Sequence, residues 1–493
     1  MQQDMPHSHE STVAAQATPC DNLVALSQSP ALSSACAHKR LALIATILAS
    51  SMALIDSTVV NVALPSIQSE LHAGVMGMQW VVDAYLLLLG SLVLVGGALG
   101  DRLGRRGVFI AGTAVFMVAS AGCGLAPSLG WLIAARALQG VGAALLVPGS
   151  LAIIGSVFEG EERAKAIGTW AGSGAIMAAI GPAFGGWLVD SFDWRAIFFL
   201  NLPLAITTIV LARMSVPDSR VSTLSNGLDW QGALSVTCGL GALTYGLTEA
   251  SSRGFASEIV LGCAGVGIVL MAVFIRIEAR SPHPMMPLDV FHSREFTGIN
   301  LVTLLLYFAL SGALFFLPFT LIRAYGYSAT QAGASLLPLP LVIGVLSRYT
   351  GVLTARYGAR LMLIVGPCVA GLGFMMFVLT VVSTRYWLAI FPPLFVTGLG
   401  MTITVSPLTS TVMAAVNADR IGVASGINNA VARVAGLLAV AVLGIVFVWS
   451  HDRAIAQGEQ HAVAVAFRAV ALASAICAFM AAACSAVTIK PKS

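Results

Sequence analysis

From residue 41 onward the chain is built of long apolar runs separated by short clusters of charge, glycine and proline. A run of about 20 such residues is what a helix needs to cross a hydrocarbon core. Reading the runs between their breaks predicts spans near 41–64, 78–99, 107–126, 130–154, 164–188, 194–213 and 230–249. A second set falls near 257–277, 297–320, 331–353, 361–382, 387–412, 421–449 and 465–487. The expected fold class is therefore an all-α membrane protein of fourteen transmembrane helices.

Basic residues orient the spans. With the N-terminus in the cytoplasm, the inner segments hold Lys39 and Arg40; Arg102, Arg105 and Arg106; Arg163 and Lys165; Arg213 and Arg220; Arg276, Arg280 and Arg294; Arg356 and Arg360; Arg420; and Lys490 and Lys492. The outer segments hold at most one each, such as Arg195, Arg253, Arg323, Arg385 and Arg453. One missed helix would swap every later loop, so agreement along the whole chain with the excess of Lys and Arg on the cytoplasmic side supports the count. An even number of spans puts both termini in the cytoplasm, and the expected location is the cell membrane.

Composition excludes other classes. Of the 493 residues, 57% are hydrophobic and only 10% charged, which leaves too little polar surface for a soluble protein. The net charge of +4 is dispersed between spans rather than gathered in a patch, so no nucleic-acid partner is expected. The eight cysteines form no CxxC and sit mostly in apolar runs, which predicts neither metal nor disulfides. No Walker motif, HExxH or nucleophile elbow occurs, so the chain is not read as an enzyme and no cofactor is expected. Residues 1–37 lack a signal-peptide pattern and are expected to form a disordered cytoplasmic tail.

An internal repeat organises the spans. Gly97-Ala98-Leu99-Gly100-Asp101-Arg102-Leu103-Gly104-Arg105-Arg106 follows span 2, and Gly351-Val352-Leu353-Thr354-Ala355-Arg356-Tyr357-Gly358-Ala359-Arg360 follows span 10. Both match G-x-L-x-[D/A]-R-x-G-x-R, eight spans apart, so the chain holds two similar halves with two extra helices between them. The expected organisation is a tail (1–37), a six-helix bundle (38–213), a linker with two inserted spans (214–290) and a second six-helix bundle (291–490).

The first repeat copy resembles motif A of the major facilitator superfamily. Three further stretches are similar to the fourteen-helix branch of its drug:proton antiporters. Leu54-Ile55-Asp56-Ser57-Thr58-Val59-Val60-Asn61-Val62-Ala63-Leu64-Pro65 resembles that branch's helix 1 signature. Arg136-Ala137-Leu138-Gln139-Gly140-Val141-Gly142-Ala143 resembles motif B, and Gly181-Pro182-Ala183-Phe184-Gly185-Gly186 resembles motif C. Two departures stand out: Ala355 replaces the acid in the second repeat, and Met177 occupies a motif C position that usually holds glycine. The resemblance implies the major facilitator fold of two six-helix bundles, and export of drugs in exchange for protons.

Asp56 and Arg136 are the first candidates for chemistry. Counting at 1.5 Å per residue puts Asp56 roughly 22 Å into a core roughly 30 Å thick, and Arg136 at a similar depth. Intramembrane charges usually pair or face water, and a carboxylate that gains and loses a guanidinium partner can take up and release a proton. The pair could instead merely lock two helices together. The resemblance assigns the motif B arginine to proton transfer.

Gln139, one turn on from Arg136, could accept from the guanidinium, line the cavity or simply pack between helices, and Asp83 could join the cluster or reach the outer water. Asn61 reads as a helix-helix hydrogen bond or a cavity-lining group. Arg433 has no acid on its own helix and must find a carbonyl, an acid elsewhere or an anionic ligand. Glu249 is expected to be solvated. By resemblance, Gly97, Asp101, Arg102, Gly104, Arg105 and Arg106 form a cytoplasmic gate, and Gly181, Pro182, Gly185 and Gly186 a seal or hinge. Small residues on that helix also predict plain tight packing.

The expected partners are a small-molecule substrate, protons and the lipid bilayer, with the protein acting as a monomer. The alternatives are an exporter dedicated to one natural product, a nutrient symporter, and a membrane sensor that does not transport.

Overall fold

The computed structural model describes residues 30–217, 229–281, 284, 286–379, 386–416, 421–459 and 461–490. In the first half the helices are α1 (Pro30–Glu70), α2 (Val75–Leu103), α3 (Arg105–Gly124), α4 (Leu129–Val157), α5 (Gly160–Ser191), α6 (Ala196–Phe199) and α7 (Asn201–Ser215). Two more follow, α8 (Trp230–Arg253) and α9 (Glu258–Arg280). The second half holds α10 (Arg294–Tyr325), α11 (Ala329–Ser335), α12 (Pro338–Tyr357), α13 (Ala359–Leu379), α14 (Tyr386–Ala389), α15 (Phe391–Ala414), α16 (Ile421–Ala456) and α17 (Ala462–Thr488).

The chain is a multi-pass membrane protein. Thirteen segments among the described residues are long and apolar enough to cross a bilayer. The expected fourteenth, α8, has the length at 24 residues. Its Thr237, Thr244, Thr248, Glu249 and Arg253 make it more polar than its neighbours. It packs against α2, α9 and α16, and that packing buries Thr244 and Thr248 completely. Glu249 departs from expectation: it is buried rather than solvated, and pairs with Arg253 one turn away at 2.5 Å.

Other departures concern helix ends. Residues 1–29 of the expected tail lie outside the described residues, and α1 begins at Pro30 rather than beyond residue 37. Helices continue through polar residues after leaving hydrocarbon, so α1 and α16 outrun their apolar runs. Three predicted spans are each broken in two, before Pro203, Pro338 and Pro392. A proline lacks the N–H that would bond back one turn, and its ring crowds the carbonyl there.

The two repeat copies form equivalent turns. Gly104 and Gly358 both take positive φ, at 110° and 83°, a region that side chains with a Cβ rarely enter. Arg106 then donates to the carbonyl of Val216 at the end of α7, 3.4 Å away. Its counterpart Arg360 donates to the carbonyl of Ala486 near the end of α17 at 2.7 Å. Each arginine thus supplies charge to the negative end of the last helix of its half.

At the end of the molecule holding the α1–α2 turn, one apolar cluster joins the halves, bringing Val60, Leu64 and Val81 together with Phe316, Leu336 and Leu443. This end is sealed. At the other end, which holds the α2–α3 turn, a cavity opens between the halves.

Candidate functional site

Glycines on α4 set the position of Arg136. A Cβ on Gly140 would stand 2.5 Å from the Tyr85 carbonyl oxygen, and one on Gly142 2.5 Å from the Phe116 nitrogen. With hydrogen in those places α4 lies directly on α2 and α3. Arg136 then reaches α2, donating from Nε to the Val81 carbonyl at 3.0 Å, with its guanidinium 4.4 Å from the centre of the Tyr85 ring.

Asp56 on α1 meets Arg136 in an ion pair through Oδ2 and Nη1. Their side chains are each 1% exposed. Gln139 bridges them, accepting from Arg136 Nη1 at 2.7 Å and donating to Asp56 Oδ1 at 2.8 Å. Asn201 donates to the same Asp56 oxygen at 3.4 Å and to Ser120 Oγ at 3.0 Å. A buried ion pair survives desolvation only when such bonds satisfy its remaining lone pairs.

Sequence reasoning missed Ser120, Tyr85 and Asn201. Ser120 and Tyr85 look like ordinary span residues, whereas Asn201 carried a signal, as a lone amide inside an apolar run just ahead of Pro203.

Asp83 does not join this cluster. Val81 and Tyr85 both face Arg136, and a residue two positions from each lies on the far side of a helix turning 100° per residue. Asp83 shares a stripe with Trp80 and Leu87, which meet Tyr245 and Gly241 of α8. It is fully buried, and neither carboxyl oxygen has a hydrogen-bond partner among the described residues.

Through Arg136 the pair borders a cavity of about 540 Å³ between the halves. Arg136, Tyr85 and Asn61 line it from the first half, and Tyr307, Asn428 and Arg433 from the second. Leu151, Ile167 and Met413 carry the lining towards the open end, where each is more than a third exposed. Asn61 lines the cavity rather than bonding to a neighbouring helix: among the described residues its buried Oδ1 has no hydrogen-bond partner.

The sealed end is held by contacts between the halves. A Cβ on Gly181 would stand 2.9 Å from Thr58 Oγ1, and one on Gly185 would overlap Val59. Both glycines therefore admit α1 within their own half, which sets α5 for the contacts across. Gly186 admits the Ala329 carbonyl, and Gly333 admits that of Pro182. One turn on, Asp190 accepts from the backbone of Ala329 at 3.1 Å and of Thr330 at 2.7 Å, a cross-half cap that the sequence reading did not foresee. Gln79 donates to the Val440 carbonyl at 2.7 Å, and Arg323 to that of Pro65 at 3.2 Å.

Comparison with known proteins agrees with this architecture. A family model described as Major Facilitator Superfamily matches residues 46–440. The chain belongs to the major facilitator superfamily.

Relatives within it include the multidrug resistance protein Stp of Mycobacterium tuberculosis, 35% identical over 82% of this chain and 75% of that protein. The methylenomycin A resistance protein of Streptomyces coelicolor is 33% identical over 86% of this chain and 87% of its own length. The puromycin resistance protein of Streptomyces alboniger is 34% identical, covering 82% and 81%. Among solved structures, a bacterial homologue of the human lysosomal transporter Spinster aligns with a TM-score of 0.64 at 16% identity, covering 92% of this chain and 97% of that one.

Two arginines of the motif A stretch in this superfamily member bond to carbonyls of their own half. Arg105 donates to the Ala152 carbonyl at 3.2 Å, Arg106 to that of Val216, and Arg102 is exposed. The side chain of Asp101 lies outside the described residues. Gly97 meets only an ordinary contact, with Pro148; the close approach belongs to its neighbour Gly96, which admits the Ala144 carbonyl.

Proposed function

We propose that the protein is a proton-coupled antiporter that exports drugs or other small amphipathic molecules, a natural product among them, across the cell membrane. The observation that carries the reading is the buried Asp56–Arg136 pair at the wall of a drug-sized cavity. Relatives named for multidrug, methylenomycin and puromycin resistance support export as the direction.

In this reading the open end is cytoplasmic. Arg102, Arg105, Arg106, Arg163 and Arg356 cluster there, as expected of inner loops, and both termini then lie inside. The conformation is thus inward-facing, with Asp56 ionised and bound to Arg136. The bundles 38–213 and 291–490 rock about the cavity as a monomer, while the inserted helices of 214–290 ride beside α2 and α16. When the outer end opens, a proton on Asp56 neutralises it and loosens Arg136 and Gln139. Return to the inward form sheds the proton and restores the ion pair.

The test is transport in proteoliposomes. Asp56→Asn should keep substrate exchange across the membrane while abolishing accumulation driven by a proton gradient. Gradient-driven accumulation equal to that of the wild type would refute the coupling role.

A further inference from the structure

The cavity wall holds a charge that the coupling pair does not absorb. Arg433 projects from α16, half-buried, where Gly90 of α2 lets the two helices close on each other; a Cβ on Gly90 would stand 3.1 Å from that of Arg433. Among the described residues it has neither a hydrogen bond nor an ion pair. Five N–H donors therefore face the cavity region uncommitted.

Its amide neighbours on α16 direct their NH2 groups to other partners. Asn428 donates its amide to Asn300 Oδ1 at 3.2 Å and Thr303 Oγ1 at 2.7 Å, and Asn429 donates to the Ser425 carbonyl at 3.0 Å. The titratable groups near Arg433 in the cavity are Tyr307 of its own half and, across the cavity, Tyr85 and Arg136, the last already bound to Asp56. Among the described residues no Asp or Glu lines the cavity. Asp56 and Arg136 cancel, so the described lining keeps one positive charge, set among the apolar Val82, Leu86, Leu314 and Phe315 and neutral polar groups such as Thr58 and Ser311.

We propose that Arg433 is the anion-binding point of the substrate cavity, and that the transported molecule is an amphipathic organic anion. Its body is aromatic or aliphatic, and it carries a carboxylate, enolate or phenolate. A planar guanidinium matches two anionic oxygens, and the low dielectric of an apolar wall strengthens that bond. A cationic substrate would meet Arg433 with no free acid to offset it. The inference rests on the export reading for the identity of the cavity, and narrows its substrate class.

The experiment reads binding with no gradient applied. Protein in phosphatidylcholine nanodiscs is titrated with radiolabelled 2-naphthoate and with its uncharged counterpart, 2-naphthamide. The wild type should bind the carboxylate about tenfold or more tightly than the amide, as one charge-assisted hydrogen-bonded contact implies. Arg433→Gln should remove that preference while leaving amide affinity unchanged, and Arg433→Lys should restore part of it. If Arg433→Gln does not fold, as judged by its thermal transition, the wild-type preference and its weakening in Arg433→Lys carry the test.

Equal affinity for the two probes in the wild type, a preference that survives Arg433→Gln, or no naphthoate binding at millimolar concentration would each overturn the proposal. A wild type that shows the preference but never moves an organic anion across a membrane would condemn export while leaving the binding site standing.

Discussion

Replacing Gly333 by alanine should drive the protein out of the conformation described above. The added Cβ would overlap the Pro182 carbonyl and stand 2.9 Å from the Ala183 nitrogen, where relaxed contacts lie at about 3.5 Å or more. Neither neighbour is a flexible side-chain tip; both are backbone of α5, so relief requires α5 and α11 to part. Overpacking of this kind costs about 1–3 kcal/mol. The cost falls only on the sealed state, so the ratio of outward-open to sealed molecules should rise by about 5- to 150-fold.

Spin labels at Ser69 and Gln457, both exposed at the sealed end on opposite halves, give the readout by pulsed electron paramagnetic resonance. The variant should gain a longer-distance population and lose transport, whereas Gly344→Ala, where nothing lies within 4 Å of the added carbon, should leave both unchanged. A Gly333→Ala distance distribution identical to the wild type's, with intact transport, would refute the idea that close backbone contact holds this end shut.

Three further outcomes follow from the geometry. Arg136→Gln leaves Asp56 buried without its cation and should cost about 3–5 kcal/mol of stability, most of it regained in the Asp56→Asn, Arg136→Gln double variant; thermal denaturation in detergent compares them, and equal stability of the single and double variants would count against a true ion pair. Asp83→Asn should leave the pH dependence of transport within about twofold of wild type, since Asp83 lies away from the pair and distant sites act independently; loss of coupling would restore it to the proton path. For an anionic substrate, a proton entering as an anion leaves moves two positive charges inward, so an inside-negative potential should add about 2.3 kcal/mol per charge per 100 mV of drive. Export from vesicles that ignores a potassium-valinomycin potential would contradict that accounting.

The spans and the Asp56–Arg136 pair were legible because hydrocarbon punishes charge, so a carboxylate and a guanidinium inside apolar runs stand out against everything around them. The repeat was legible for a different reason: Gly104 and Gly358 hold a backbone conformation that few other residues tolerate. Asp83 stood out as strongly as Asp56, yet helical phase turned it towards α8, and depth along a span carries no information about phase relative to a neighbour. The cross-half contacts were beyond reach. Asp190 is unremarkable until α11 is placed beside it, and Gly333 lies outside every recognised motif although it meets the Pro182 carbonyl as closely as any motif C glycine meets its neighbour. Proline breaks before Pro203, Pro338 and Pro392 were written in the sequence, but Pro65, Pro148 and Pro182 sit inside unbroken helices, so proline alone does not decide.

The modest hydrophobicity of α8 bears on how the chain is made. A segment carrying three threonines, Glu249 and Arg253 gains little by partitioning from the translocon into lipid on its own. Its neighbour α9 is strongly apolar and begins only four residues after α8 ends, so the two can enter as a single hairpin with α9 providing the drive. Since α8 packs against both α9 and α16, its final packing can be completed only once α16, which begins at Ile421, has been synthesised.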